Sequence, residues 1–372
     1  MSKKKVLILV NHDVVIYNFR RELVERLIQE GYDVVISSPY GERIDDLIEM
    51  GCKYSEVSID RHGTNILKEI KLLSYYLKTM KTIKPDVVLT YTIKPNIYGG
   101  LAAEILNIPY IANITGLGTA VEIDGFMQKI SIMLYKLAFK KVNKVFFQNT
   151  ENMQFFINNE IALEKHKLLP GSGVNLEQFS VLDYPENETI EFVFISRIMK
   201  EKGIEQYIDA AKYIRKKYPF TRFHICGFCE ENYEKTLKDL EEQHILKYHG
   251  MLRDVKKILR KIHCTVHPTY YPEGISNVLL ESSACGRPLI TTNRSGCREV
   301  VDEGINGFLV EQKNSLDLID KMETFIKLEH KEKRRMGLAS RKKVENEFDR
   351  TIVVEAYIKE IEIIWSEETY EL

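Results

Sequence analysis

Apolar residues recur along the first half of the chain in short unbroken runs separated by amphipathic stretches. Residues 6–10 (Val-Leu-Ile-Leu-Val) form such a run and predict a strand buried on both faces. Helical spacing follows over 19–29, closed by Gly31, a residue suited to a left-handed helix cap. The same alternation predicts strands over 33–37, 86–90, 110–114 and 144–148, and helices over 43–50, 66–82, 97–106 and 129–141. Pro85 stops the longest of these helices, because proline lacks the N–H that would continue it. Apolar strands alternating with helices predict a parallel sheet covered on both faces.

The regularity stops near 169–174, and the aperiodic stretch 175–188, with Pro185, reads as a linker. Alternation then resumes. Strands are expected over 190–196, 222–227, 264–267 and 289–292, with helices over 204–216, 233–243, 255–261 and 277–285. From Ser315 the chain is almost wholly helical and charged, and its last amphipathic segment, 351–365, is expected to return to the first domain with Trp365 beneath it. The fold class is therefore α/β: two facing Rossmann-like domains with parallel sheets and an interdomain cleft as the ligand site. The domains are assigned as 1–178, 179–348 and a returning helix over 349–372.

Composition narrows the function classes. The chain has 372 residues, which suits about two domains. Its 53 basic and 54 acidic residues leave a net charge of −1, which argues against general nucleic-acid binding. No apolar run approaches the roughly 20 residues of a membrane span. The lysine-led start lacks a small-residue cleavage site, so a cytoplasmic protein is expected. One segment, 126–144, carries Phe126, Met127, Ile130, Met133, Leu134, Leu137 and Ala138 at helical spacing beside Lys129, Lys136, Lys140, Lys141 and Lys144. A basic amphipathic helix of this kind is a candidate contact with an anionic membrane surface; its alternative is a helix that covers the sheet. The six cysteines are scattered, and Cys226-x-x-Cys229 has no second pair at zinc-finger spacing. His263 and His267 flank a strand-like segment, which would hold them roughly 13 Å apart, too far for one metal. No metal or cofactor is expected.

Two loops carry candidate chemistry. In the first, Pro272-Glu273-Gly274-Ile275-Ser276-Asn277 opens directly into a helix, and free backbone N–H groups at such a terminus make an anion site. Glu273 beside an anion site suggests contact with something other than the anion, such as sugar hydroxyls. In the second, Arg197 and Lys202 lie between a strand and a helix, where a guanidinium fork and an ammonium can neutralise a departing diphosphate. The turn after the first strand, 11–18, holds no glycine, so a dinucleotide fingerprint is absent, as is a Walker lysine loop. His12 and His62 read as ordinary loop histidines.

The Arg197…Lys202 loop followed by Glu273-x7-Glu281 resembles retaining glycosyltransferase family 4. The strings Ser282-Ser283-Ala284-Cys285-Gly286-Arg287-Pro288 and Asn306-Gly307-Phe308-Leu309-Val310 extend the likeness. Thr90-Tyr91-Thr92-Ile93-Lys94-Pro95-Asn96-Ile97-Tyr98-Gly99 and Asn113-Ile114-Thr115-Gly116-Leu117-Gly118 point to its bacterial capsule, O-antigen and exopolysaccharide branch. The resemblance implies a GT-B fold and metal-independent retaining transfer of a sugar from a nucleotide diphosphate, UDP above others. The sugar would be an N-acetylhexosamine, a hexose or a uronic acid. The acceptor would be a polyprenyl-diphosphate-linked glycan at the inner face of the membrane.

By the same resemblance, Glu281 binds the ribose, Glu273 a donor-sugar hydroxyl, and Gly274, Ile275, Ser276 and Asn277 the sugar and diphosphate. Arg197 and Lys202 hold the leaving group. Gly227 and the loop 249–253, with Leu252 and Arg253, border the base. Thr92, Lys94, Asn96, Thr115 and Gly116 contact acceptor or donor sugar. Thr115 stands where many members carry a histidine, and Lys94 or Asn18 is the substitute partner. The alternatives are a non-hydrolysing UDP-sugar 2-epimerase and a catalytically weak nucleotide-sugar-binding protein.

Overall fold

The computed structural model describes residues 3–59, 65–117, 125–272 and 274–370, with 367–370 described by backbone alone. The chain forms two compact units: residues 1–172 with 350–372, and residues 173–349.

The first unit runs β1 (Lys5–Leu9), α1 (Asp13–Phe19), α2 (Arg21–Gln29), β2 (Asp33–Ser38), α3 (Ile44–Glu49), β3 (Lys53–Glu56), α4 (Ile66–Ile83), β4 (Val87–Tyr91), α5 (Gly100–Leu106), β5 (Tyr110–Ile114), α6 (Phe126–Ala138), β6 (Lys144–Phe147), α7 (Thr150–Asn158) and β7 (His166–Leu168). Its sheet is parallel, in the order β3-β2-β1-β4-β5-β6-β7. The strand period of two sorts β1 between two cores: Val6 and Ile8 face one, Leu7 and Leu9 the other. Strand order reverses between β1 and β4, so the carboxyl ends of these strands are this sheet's switch point.

The helix predicted over 19–29 starts earlier and is broken. His12 caps α1 by accepting from the Val14 N–H at 3.2 Å, and Arg20 separates α1 from α2. The turn read as a loop is helical because a side-chain cap replaces the glycine that was sought. β3, β7 and α7 lie where no element was expected.

The second unit runs β8 (Ile190–Ile195), α8 (Ile204–Lys217), β9 (Thr221–Cys226), α9 (Glu234–Glu242), β10 (Lys247–Tyr248), α10 (Lys256–Leu259), β11 (Cys264–His267), α11 (Asn277–Ala284), β12 (Leu289–Thr292), β13 (Gly307–Val310), α12 (Ser315–Lys327) and α13 (His330–Glu347). Its parallel sheet has the order β10-β9-β8-β11-β12-β13, reversing between β8 and β11. The stretch read as a linker is packed into this unit. Buried Arg287 donates to the carbonyls of Leu182 (3.3 Å) and Asp183 (2.7 Å), and the Tyr184 hydroxyl donates to the His263 carbonyl at 2.8 Å. Backbone carbonyls that stop a buried guanidinium from being orphaned leave no periodicity in the sequence.

The last helix, α14 (Arg350–Tyr370), belongs to the first unit. Val353, Val354, Tyr357, Ile358, Ile361, Ile364 and Trp365 join the core on the Val6/Ile8 face of its sheet. Trp365 lies 4.7 Å from the Tyr32 ring, with the Lys4 ammonium 4.2 Å over it. Asn113 Nδ2 donates to the Tyr357 hydroxyl at 2.8 Å, so helix and strand ends are joined by a buried polar contact as well.

Candidate functional site

In the second unit the loops after β8 and β11 are sewn together by backbone. The N–H of Tyr270 donates to the Glu201 carbonyl at 2.8 Å. Gly203 has φ +82°, and a Cβ there would lie 2.1 Å from the Pro268 carbonyl oxygen, so no other residue permits this approach. The contact brings Arg197, Lys202 and Tyr271 together. The Arg197 guanidinium carbon is 5.2 Å and the Lys202 ammonium 4.5 Å from the centre of the Tyr271 ring. Lys202 is 7% exposed, so its charge sits where water screens it poorly.

Arg197 is already paired. Its Nη1 donates to Glu230 at 2.6 Å, and Lys200 N–H donates to Glu231 at 2.7 Å. Burial works against the Arg197 charge, but the Glu230 hydrogen bond and charge outweigh it and hold its pKa above the ordinary value. An arriving diphosphate has to compete with Glu230 for this guanidinium. Sequence reading found the two cations and missed Glu230, 33 positions beyond Arg197, and Glu231, 31 positions beyond Lys200. It also missed Tyr271, whose one available signal is an aromatic three residues before Gly274.

Three residues beyond Tyr271, Gly274, Ile275 and Ser276 are buried and lead into α11. The Ser276 N–H donates to the Gly296 carbonyl at 2.8 Å, and no side chain caps the helix. Asn277 Oδ1 is buried without a hydrogen-bond partner. Glu281, four residues on, is half-buried on the same face of α11. Glu273 lies outside the described residues. At the neighbouring strand end, Gly227 has φ +140°, and a Cβ there would meet the Ser196 carbonyl oxygen at 1.7 Å. Its N–H donates to the Gly250 carbonyl at 2.8 Å, which ties the β9 end to the 249–253 turn. In that turn Leu252 packs inward while Arg253 is exposed.

The first unit arranges its own strand ends differently. Thr92 holds φ +69°, a strained value for a β-branched residue, and its hydroxyl donates to the Tyr91 carbonyl. A π-helical turn, Pro95–Gly99, follows, a form that concentrates at functional sites. Asn96 is buried: its Oδ1 accepts from Thr90 at 2.7 Å and its Nδ2 donates to the Asn113 carbonyl at 2.9 Å, which ties β4 to β5. Lys94 pairs with Glu69 at 2.5 Å. Asn18 is exposed at the end of α1, its carbonyl accepting from Arg350 at 3.0 Å. Thr115 is half-buried, and Gly116 has φ +151°. His62 lies outside the described residues, as does Gly118.

Helix α6 divides the apolar residues read from its sequence. Ala138 is buried, whereas Phe126 (77%), Met133 (55%) and Leu137 (43%) stay exposed beside exposed Lys129, Lys136 and Lys140. The first turn of α4 adds exposed Ile66, Leu67 and Ile70, and both helices pack against the Pro95–Gly99 turn. No helix among the described residues is long and apolar enough to cross a membrane.

Residues 5–149 match the family described as glycosyl transferase 4-like, and residues 178–343 match glycosyl transferases group 1. The chain is 26% identical over 363 residues to N,N'-diacetylbacillosaminyl-diphospho-undecaprenol alpha-1,3-N-acetylgalactosaminyltransferase of Campylobacter jejuni, covering 92% of this chain and 94% of that protein. It is 25% identical to UDP-Gal:alpha-D-GlcNAc-diphosphoundecaprenol alpha-1,3-galactosyltransferase of Escherichia coli, covering 77% of this chain and 78% of that one. Among solved structures, HepE of Anabaena in complex with UDP and glucose superposes with a TM-score of 0.78 at 16% identity, covering 96% of this chain and 98% of HepE.

Proposed function

The chain belongs to the 4-like and group 1 glycosyltransferases, and we propose on that footing that it moves a sugar from a UDP-sugar to a polyprenyl-diphosphate-linked glycan. The observation that carries the reading is the gathering of Arg197 and Lys202 on the Tyr271 ring, at the switch point of the second sheet and just before the α11 terminus. Cations held by backbone stitching need little reorganisation when charge develops on a leaving diphosphate. The name of the Escherichia coli relative supports UDP as donor nucleotide, and both names support an undecaprenyl-diphosphate-linked acceptor. The donor sugar is an N-acetylhexosamine, a hexose or a uronic acid.

In the proposed reaction Glu281 holds the ribose, and Gly274, Ile275, Ser276 and Asn277 hold sugar and diphosphate. The bond from the anomeric carbon to the diphosphate oxygen breaks while the acceptor oxygen bonds to that carbon on the same face. The acceptor hydroxyl proton passes to an oxygen of the departing diphosphate, so neither a metal nor a dedicated base is required. Thr92, Lys94, Asn96, Thr115, Gly116 and Asn18 serve the acceptor or the donor sugar. The exposed apolar residues of α6 and α4, rimmed by lysines, rest on anionic lipid at the cytoplasmic face, which is where a lipid-linked acceptor is presented.

The test is a panel of UDP-sugars offered to purified protein with a polyprenyl-diphosphate-linked glycan in vesicles. Product formation from one donor is expected. Glu281→Ala should weaken UDP binding by about tenfold, as loss of a charge-assisted hydrogen bond does. Unchanged UDP affinity in calorimetry would remove Glu281 from the site.

A further inference from the structure

Outside the cation cluster, the second unit holds a line of titratable side chains that the transfer chemistry does not use. Glu191 is the second residue of β8, His224 lies in β9, and His249 directly follows β10. Glu191 Oε2 is 3.0 Å from His224 Nε2, and His224 Nδ1 is 2.9 Å from His249 Nε2. The backbone N–H of Glu191 in turn donates to His263 Nδ1 at 3.1 Å. We propose that Glu191, His224 and His249 are a hydrogen-bonded relay that positions the 249–253 turn for the base of the donor nucleotide. The inference rests on the donor reading above and names how one wall of that site is held.

Proton bookkeeping fixes the carboxylate end of the relay. A carboxylate only accepts, so His224 carries its hydrogen on Nε2. His224 Nδ1 and His249 Nε2 share one hydrogen between them, and the His224 tautomer sets which ring donates. Each contact along Glu191, His224 and His249 thus has one donor and one acceptor. Burial, and then the charges of His224, Lys247 and Lys261, press the His249 pKa down to about 4, which keeps that ring neutral. Burial opposes the Glu191 charge, but the His224 hydrogen bond and charge prevail and set its pKa below the ordinary value.

The far end of the line is where the turn needs help. Met251 is 70% exposed, Arg253 is exposed, and a Cβ on Gly250 would find no atom within 4 Å. Side-chain packing holds the turn through Leu252. Backbone bonds add two anchors: His249 N–H donates to Ile225 (2.9 Å), and the Gly250 carbonyl accepts from Gly227 (2.8 Å). The relay fixes the ring of His249 between these anchors. An apolar trio would join the three strands without the desolvation cost of a carboxylate. A directional polar line suits a turn that must be held in one orientation for a planar ligand.

The test compares two probes, UDP and inorganic diphosphate, because the relay serves the base and not the phosphates. In the full-length protein, His224→Ala should lower UDP affinity about tenfold and raise the donor KM to match. It should leave diphosphate affinity and kcat at saturating donor within twofold. His224→Gln, whose amide can donate to Glu191 and accept from His249, should recover most of the UDP affinity. If His224→Ala does not fold, His249→Ala carries the same comparison. Equal losses for UDP and diphosphate, or no loss for either, overturn the relay. If the unaltered protein binds diphosphate and no nucleoside diphosphate any better, the donor reading fails first and takes this inference with it.

Discussion

The two units share a parallel-sheet topology and finish their strand ends in opposite ways. In the second unit the loops are locked by backbone contacts that only glycine permits, at Gly203 and Gly227, and charged side chains are displayed on that frame. In the first unit the Asn96 side chain turns inward to the Thr90 hydroxyl and the Asn113 backbone carbonyl, and the strain sits in the backbone at Thr92 and Pro95–Gly99. One edge fixes charges in place, as a leaving group requires. The other holds a strained stretch of chain against α4 and α6, whose exposed apolar residues suit the lipid-linked acceptor proposed above. A shared topology therefore constrains where ligands approach and leaves the chemistry to the loops.

The largest effect that would break this contrast is expected from Arg197→Ala with Lys202→Ala. Sugar transfer should fall by about 1,000-fold, the scale of losing preorganised charge at a leaving group. Far-UV circular dichroism should stay as in the unaltered protein, and retained transfer would end the leaving-group role. Next comes the frame itself. Gly203→Ala should cost about 2–4 kcal/mol in denaturant unfolding, since it combines a positive φ with a carbonyl clash. Gly250→Ala, with φ +64° and open space around it, should cost about 1–2 kcal/mol from conformation alone. Equal costs would mean that the Pro268 contact is looser than its geometry.

In the first unit, Asn96→Ala should cost about 1–3 kcal/mol, because it orphans the Thr90 hydroxyl and the Asn113 carbonyl. An unchanged melting temperature with a raised acceptor KM would instead show Asn96 turning out to the acceptor. The smallest effect is on pH. Burial above all presses the pKa values of His249 and His263 down to about 4, below the roughly 6.5 of an unfolded histidine. The folded state thus binds fewer protons, so this stability is complete above about pH 6.5 and is lost as pH falls toward 4. Both residues are in the second unit, while the single tryptophan, Trp365, reports on the first. On acidification, far-UV dichroism should change before tryptophan fluorescence. His166, depressed by burial in the first unit, works in the same sense there. Coincident transitions would show that the two units unfold together.

Hydrophobic periodicity was enough for the strands that are buried on both faces, such as β1 and β5, because such a strand must be apolar throughout. It failed where a side chain or a remote backbone group does the work of a local signal. His12 capping α1 is one case; the packing of 175–188 around Arg287 is another. Among the site residues, Arg197 and Lys202 were legible from their place between a strand and a helix. Tyr271, Glu230 and Glu231 were not, since a ring contact or an ion pair across dozens of residues has no period.

The order of apolar runs and breakers by itself determined the α/β class, the parallel sheets and the place of the charged loops, because each of these follows from local periodicity and from which residues can leave water. Only the tertiary structure decided that Glu230 neutralises Arg197, that Asn96 spends its hydrogen bonds inside the sheet, and that Glu191, His224 and His249 stand in line. Those are meetings between side chains and backbone from different strands and loops, and such meetings leave no local period in the sequence.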